Sequence, residues 1–462
     1  MKPAPKGKGL WIGIAVVVVI VVLLLGAVLG GLFAPTATAQ LRIGTLLSLT
    51  GGLDDFGPGD TKGAQLAVEE INAAGGVLGH DIELFSEDDQ TDPTAAAGAA
   101  TKLITNNGVN AIVGSQFSGG STAVLTIARD NGVVMVSPSA TSPALSLNTT
   151  DPDGWFFRTA PSDNLQGVVA ANYLYTNLSL RYVNIMARND PYGNGLAGVV
   201  KDKFIALGGT VNRTEIIPVG LTDYTTAINT VFSSDPQAVY FIAFTDEALI
   251  IMKQWQAGLS ANPGWDRQWV FSEGLKSQLF MDQLRDPSVG VDVTKILGTT
   301  PVSPFGAIYD SFVTKYKARF FNQTPVLYAE NTYDAVYLIA LAAQKAGSVE
   351  GASIKSQLIS VSAPGGTVIK PGQWAQALTA LAGGGDVNWE GAAGSEDFDA
   401  VGDVRGSYEI WGVNSSFQLY RVAFIPESII SAPPLRFATQ PLVSDAHGFS
   451  VQVQAAAISR RS

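Results

Sequence analysis

Hydrophobic and polar positions along this chain fall into short β-branched runs, each followed by an Ala-rich stretch with apolar residues three and four apart. This alternation, repeated many times, predicts an α/β fold in which crossover helices cover both faces of mostly parallel sheets. Residues 41–49 read as a strand, and Ala64, Ala67, Val68 and Ile71 mark a helix over 63–72 that Gly75-Gly76 ends. Strands at 82–88, 111–114 and 133–136 then alternate with helices at 93–106 and 121–131. A second cycle follows Phe156-Phe157-Arg158-Thr159, with helices at 164–175, 195–207, 224–232 and 247–258 and strands at 182–187, 210–218, 238–244 and 268–271. Helical periods return at 303–319 and 333–345. Near the end Gly402-Asp403 separates Phe398 from an alternating Tyr408-Glu409-Ile410-Trp411, as in a late hairpin, and residues 431–462 lack a period and read as a C-terminal tail.

The first forty residues follow another pattern. Lys2, Lys6 and Lys8 precede an uncharged apolar run over 10–33. At about 1.5 Å per residue this run is long enough to cross a hydrocarbon core roughly 30 Å thick. Ala37-Thr38-Ala39 before Gln40 has the small-x-small form that a signal peptidase accepts. Residues 1–40 therefore read either as a cleaved signal peptide or as an N-terminal membrane anchor. In both cases the rest of the chain lies outside the cytoplasm, in the periplasm or at the cell surface.

Composition narrows the function. The chain has 462 residues, 46% of them hydrophobic, and the part beyond residue 40 exceeds what one core usually holds, so two lobes are expected. Lys and Arg total 29 against 40 Asp and Glu; without the three leading lysines the balance is 26 against 40, a net of about −14 that disfavours nucleic acid. With no Cys and only His80 and His447, there is no disulfide, no Cys-ligated metal and little material for nucleophilic triads. Gly383-Gly384-Gly385 lacks the Lys-Ser/Thr of a phosphate loop. Asp54-Asp55 and Glu87-Asp88-Asp89 lack calcium-loop spacing and read as solvated acidic loops. The expectation is a binder that needs no metal or cofactor, and no enzyme.

Several short stretches, weak singly but specific in their order, carry a resemblance. They are Arg42-Ile43-Gly44 with Leu49-Thr50-Gly51, the run from Gly63 to Asn72, Gly75-Gly76 with Gly79, and Ile112-Val113-Gly114-Ser115 with Ser118-Gly119. Ser137-Pro138-Ser139-Ala140-Thr141-Ser142-Pro143, Asn189-Asp190-Pro191-Tyr192-Gly193, Ser272-Glu273-Gly274 and Phe398-Asp399 with Gly402-Asp403 complete the set, over about 41–425. Together they resemble type I periplasmic (solute-)binding proteins, in particular the branched-chain amino acid (Leu/Ile/Val) receptors of ABC importers. The resemblance implies a two-lobed α/β fold, each lobe a mostly parallel sheet flanked by helices, with three interlobe crossovers. It places 41–160 plus 300–405 in lobe one and 161–299 plus 406–430 in lobe two.

An amino acid presents a carboxylate, an ammonium and a side chain, so a receptor needs donors, an anion and a pocket. Ser118 follows a strand end just ahead of a helix, where open α/β sheets place ligands. The resemblance assigns Ser118 to the ligand carboxylate, and Ser139, through its backbone, and Thr141, through its hydroxyl, to the same neutral cradle. Glu273 is implied to meet the ammonium. Tyr192 and Phe244 are the implied aromatics of lobe two, Phe56 and Tyr328 those of lobe one. Gly119-Gly120 leave the first loop bare, and Phe56 and Phe244 carry no hydroxyl where relatives often have Tyr. The implied protein is a monomer that captures a branched-chain or other neutral aliphatic amino acid and delivers it to a membrane permease. A ligand-sensing receptor and an amide or urea receptor on the same fold are the rival readings.

Overall fold

The computed structural model describes residues 40–287 and 289–430. The segment expected as signal or anchor, up to residue 39, and the expected tail over 431–462 lie outside the described residues. Among the described residues no helix is long and apolar enough to cross a membrane.

Strands β1 (Arg42–Leu47), β2 (Glu83–Asp88), β3 (Ala111–Gly114), β4 (Val134–Ser137) and β5 (Phe156–Arg158) form a parallel sheet in the order β2-β1-β3-β4-β5. Helices α1 (Gly57–Ala73), α2 (Pro93–Thr105) and α3 (Ser118–Asp130) make the crossovers. The chain then leaves for a second sheet through α4 (Asp163–Asn172). Strands β6 (Tyr182–Arg188), β7 (Thr210–Ile217), β8 (Ala238–Ile242), β9 (Gln268–Phe271) and β10 (Ile296–Val302) alternate there with α5 (Pro191–Ala206), α6 (Thr225–Phe232), α7 (Thr245–Gly258) and α8 (Gln278–Leu284).

After β10 the chain returns as α9 (Ala307–Arg319), α10 (Ala329–Ala346), α11 (Gly351–Ser362) and α12 (Trp374–Ala382), with a small parallel pair, β11 (Thr367–Ile369) and β12 (Val387–Trp389). It crosses a third time to β13 (Ser407–Val413) and β14 (Leu419–Ile425), which complete the seven-stranded order β14-β13-β10-β9-β8-β6-β7. Helix α10 is buried from Ala329 to Ala343 and closes the core of the first sheet with α1. The core of the second sheet is rich in tryptophan, with Trp255 edge-on to Trp269, and Trp269 and Trp411 both edge-on to Phe271.

The expected α/β alternation holds, and the departures have tertiary causes. Helix α1 begins at Gly57 and not at residue 63, because Gly57, Gly59 and Gly63 sit where another backbone or side chain leaves no room for a Cβ. A Cβ on Gly57 would lie 1.9 Å from the Ser48 carbonyl, and one on Gly63 would lie 2.1 Å from that of Ala329. Glycines that read as loop are therefore the flat side of a packed helix. The late hairpin is corrected in the same way: Tyr408–Trp411 pairs forward with β14 and sideways with β10, and Gly402 instead turns the chain against Phe156 and Phe157. Strand β10 was not foreseen, since Gly298 makes it look like a turn; a Cβ there would lie 2.2 Å from the Trp411 ring.

Asp403, in the third crossing, anchors the fold. Its carboxylate accepts from Arg158 Nε at 2.7 Å and Nη2 at 2.8 Å, while Arg158 Nη1 donates to the carbonyls of Ala140 (3.1 Å) and Ser142 (2.9 Å). The Arg158 side chain is fully buried. One buried cation thus ties the end of β5, the loop after β4 and a segment some 245 residues later. Asp403→Ala leaves that guanidinium without its anion and is expected to cost about 3 kcal/mol of stability. Urea unfolding measures it, and an unshifted midpoint would show that the carbonyls alone satisfy Arg158.

Candidate functional site

A pocket lies where the C-terminal edges of the two sheets meet. All eight residues expected from sequence, Phe56, Ser118, Ser139, Thr141, Tyr192, Phe244, Glu273 and Tyr328, line it. Leu53, Gln116, Phe117, Gly274 and Leu327, which the sequence reading did not name, line it as well. The two sides touch around its rim: Ser142 Oγ donates to the Pro191 carbonyl (2.8 Å), Thr245 Oγ1 to the Gly52 carbonyl (3.1 Å), and Ser277 Oγ to Asp55.

On the side of the first sheet, the buried Asp89 and the half-buried Asp88 hold the loops in place. Asp89 accepts from Ser48 Oγ (2.5 Å), Ser115 Oγ (2.6 Å) and the Gln116 N–H (3.0 Å). Asp88 accepts from the Leu49 N–H at 2.9 Å and from Thr50 Oγ1 at 2.6 Å. The reading of this acidic run as a solvated loop is overturned for Asp89, which is fully buried and clips three loop ends to the sheet. Asp55, bonded across the rim to Ser277, is likewise structural.

Ser118 is the first residue of α3 and not a loop residue ahead of it. Gly119 and Gly120 are not a bare loop either, because they form the first turn and pack against Phe117 and Ser115, where a Cβ on Gly120 would lie 2.2 Å from Ser115 Oγ. The first N–H groups of the helix have no intrahelical acceptor. Ser118 Oγ accepts from the Ser142 N–H at 3.1 Å, which leaves its own proton to give. Ser139 Oγ donates to the Gln116 carbonyl at 2.6 Å, so its hydroxyl has lone pairs but no proton to offer. Thr141 donates its hydroxyl to Asp163 Oδ2 at 3.0 Å, which leaves its lone pairs to other partners.

On the side of the second sheet, Glu273 follows β9 in a single 3₁₀ turn and is buried. Gly274 lets that turn press against Phe244, whose ring a Cβ would meet at 2.9 Å. Glu273 accepts from Gln166 Nε2. Burial pushes its carboxyl up to about 7, against the pull of the Tyr192 hydroxyl, its own N–H and Gln166. Asp163, which the sequence reading did not name, lies behind Thr141 and is held well above the usual carboxylate range by burial and by the charge of Glu273. Among the described residues neither acid makes an ion pair with a protein cation.

The apolar wall is rigid. Tyr192 and Phe244 stack at 5.4 Å and 14°, and the Arg188 guanidinium lies 3.6 Å from the centre of the Phe244 ring. Arg188 is itself fixed by Asp190 and Glu247, each at 2.7 Å. Tyr328 starts α10 in the left-handed region with φ +76°, a strain of about 1–3 kcal/mol for a side chain of this size. The hydroxyl of Tyr328 is buried without a hydrogen-bond partner. The site thus combines hydroxyl and N–H donors from one sheet, an uncompensated acid from the other and an aromatic box. Such a set can hold a small molecule bearing both an anion and a cation.

An acid whose pKa is raised on folding stabilises the fold below its unfolded value, and that contribution is lost as pH rises through the folded one. For Glu273 the loss falls between about pH 5 and 8. In ligand-free protein, the melting temperature of Glu273→Gln is therefore expected to gain on that of the unsubstituted chain as pH rises over this range. A constant difference in calorimetric scans would show that the acid is not desolvated.

The description "Periplasmic binding protein" matches residues 40–380 as a family. A Leu/Ile/Val-binding protein of Rhizobium johnstonii is 31% identical over 320 residues, covering 69% of this chain and 83% of the relative. The branched-chain amino acid substrate-binding protein of Streptococcus pneumoniae, solved with isoleucine, superposes with a TM-score of 0.67 at 26% identity, over 84% of this chain and 99% of that one. A solute-binding protein of R. palustris in complex with benzoate, at TM-score 0.64 and 18% identity over 84% and 97% of the chains, shares the fold. This chain belongs to the periplasmic binding proteins of type I, in the branched-chain amino acid family.

Proposed function

We propose that this chain is the extracytoplasmic substrate-binding component of an ABC importer, and that it captures a neutral aliphatic amino acid of the branched-chain kind and delivers it to the permease. The observation that carries this reading is Glu273, a buried acid without a protein cation, lining the same cavity as the donors of Ser118. A zwitterion satisfies both ends at once. Its carboxylate takes the Ser118 hydroxyl and the first N–H groups of α3, its ammonium takes Glu273 and the lone pairs of Thr141, and its side chain lies among Phe56, Tyr192, Phe244 and Tyr328. Benzoate, the ligand of one structural neighbour, carries no cation and would leave Glu273 unpaired.

In this reading the lobes are 41–160 with 300–405, and 161–299 with 406–430; β10 carries the second crossing on to Val302. A ligand bonded to both lobes favours the closed arrangement because it binds that arrangement more tightly. The rim bonds from Ser142, Thr245 and Ser277 exist only when the lobes meet. The permease would read the closed outline, and no bond of the ligand is made or broken.

Calorimetry with L-leucine, L-isoleucine and benzoate tests the reading. The amino acids are expected to bind more tightly than benzoate, and Glu273→Ala to weaken L-leucine at least ~100-fold, since removing one partner of a buried charged contact costs ~2–5 kcal/mol. Unchanged affinity in the variant, or preference for benzoate, would refute it.

A further inference from the structure

The acid at the cationic end of the cavity is not alone. Asp163 is the first residue of α4 and Gln166 lies three residues on, so both project from the same face of the first turn. Gln166 donates to Glu273 Oε2, and through Nε2 it also reaches Thr299 Oγ1 at 3.3 Å. Thr141 donates to Asp163 Oδ2 at 3.0 Å. Asp163 Oδ1 is buried with no hydrogen-bond partner. Glu273 on the cavity and Asp163 behind Thr141 are thus linked through one helical turn, the first held by the Gln166 amide and the second by the Thr141 hydroxyl.

The groups around the pair supply no free positive charge. From α5 comes Tyr192, from β8 Tyr240, from the start of α10 Tyr328 and from β13 Tyr408, all phenols. Arg158 attracts Asp163 from β5, but its guanidinium is bonded to Asp403 and to the Ala140 and Ser142 carbonyls. Asp190, a further acid near Asp163, is paired with Arg188. Two adjacent buried carboxylates without a cation cannot both stay ionised, and they retain a proton that belongs to the pair.

We propose that Asp163 and Glu273 form one proton-sharing carboxyl pair at the cationic end of the cleft, and that a ligand ammonium seated there expels the shared proton to solvent. The step balances: the singly ionised pair and the ammonium give the doubly ionised pair, the bound cation and one released proton. Asp163 acts as a positioning residue, through Thr141 and Glu273. The proposal rests on the amino acid reading of the site and adds to it that Asp163 decides between cationic and uncharged nitrogen. Burial, which raises both carboxyls, and the charge of Glu273, which raises that of Asp163, agree with it.

Titration calorimetry of the full extracytoplasmic chain with L-leucine, in buffers of low and high ionisation enthalpy, counts the protons. At pH 6.5 about one proton is expected to leave per ligand bound, with affinity rising about tenfold per pH unit below the titration of the pair. Asp163→Asn is expected to cut the release to half or less, and acetamide, if it binds, is expected to release none. No release in the unsubstituted chain, or unchanged release in Asp163→Asn, would overturn the proposal. A ligand-free arm separates it from the amino acid reading. At pH 7 the infrared band of protonated carboxyl groups is expected to be weaker in the Asp163→Asn, Glu273→Gln double variant than in the unsubstituted chain. An equal band would sink the proton pair whatever the ligand, whereas a weaker band with no binding of L-leucine would sink only the ligand assignment.

Discussion

The site depends on an electrostatic deficit. Glu273 and Asp163 are removed from water at the meeting edge of the two sheets, and Arg158, which attracts Asp163, and Arg188, which lies on the Phe244 ring, are already committed to Asp403 and to Asp190 with Glu247. Burying a carboxyl in this way is unfavourable unless a proton or a cation accompanies it. The free hydroxyl proton of Ser118 and the N-terminus of α3 form the opposite pole. What the cavity lacks is the complement of a zwitterion, and the aromatic box around it gives that complement a shape.

The loops that bear these groups are held by other buried polar groups. Asp88 and Asp89 bind the turn after β1 and the start of the segment into α3; Arg158 binds the Ala140–Ser142 loop from below. The site residues on the first sheet therefore stand on short tethers to strand ends, and Tyr192, Phe244 and Arg188 are stacked on one another in the opposite wall. Binding energy is not spent on ordering these side chains.

Much of this was legible in the sequence, for identifiable reasons. Strands such as Ala111–Gly114 and Gln268–Phe271 are short, wholly apolar or nearly so, and bounded by turn residues, so pattern alone places them. Five of the eight site residues, Ser118, Ser139, Thr141, Tyr192 and Glu273, fall within the motifs whose order marks them. What was not legible depends on distant partners. Gly57, Gly119 and Gly298 look like turns until the Ser48 carbonyl, Phe117 and Trp411 are seen against them. Asp89 looks like a surface acid until three loop ends converge on it. Asp163 carried no signal, because an Asp opening a helix after Ser162 reads as ordinary helix-start chemistry, and only the fold puts it beside Glu273.

The order of the strands has a consequence for how the molecule is made. The first sheet is covered by α10, which is synthesised only after all of β6 to β10, and the second sheet is flanked at β10 by β13, some hundred residues later still. Neither half has a contiguous stretch of chain that completes its own core. A growing polypeptide that stops at residue 300 would expose the first sheet's apolar face, and one that stops at 400 would expose the edge of β10. Maturation of either half therefore waits on the arrival of the far end, and the two must finish together.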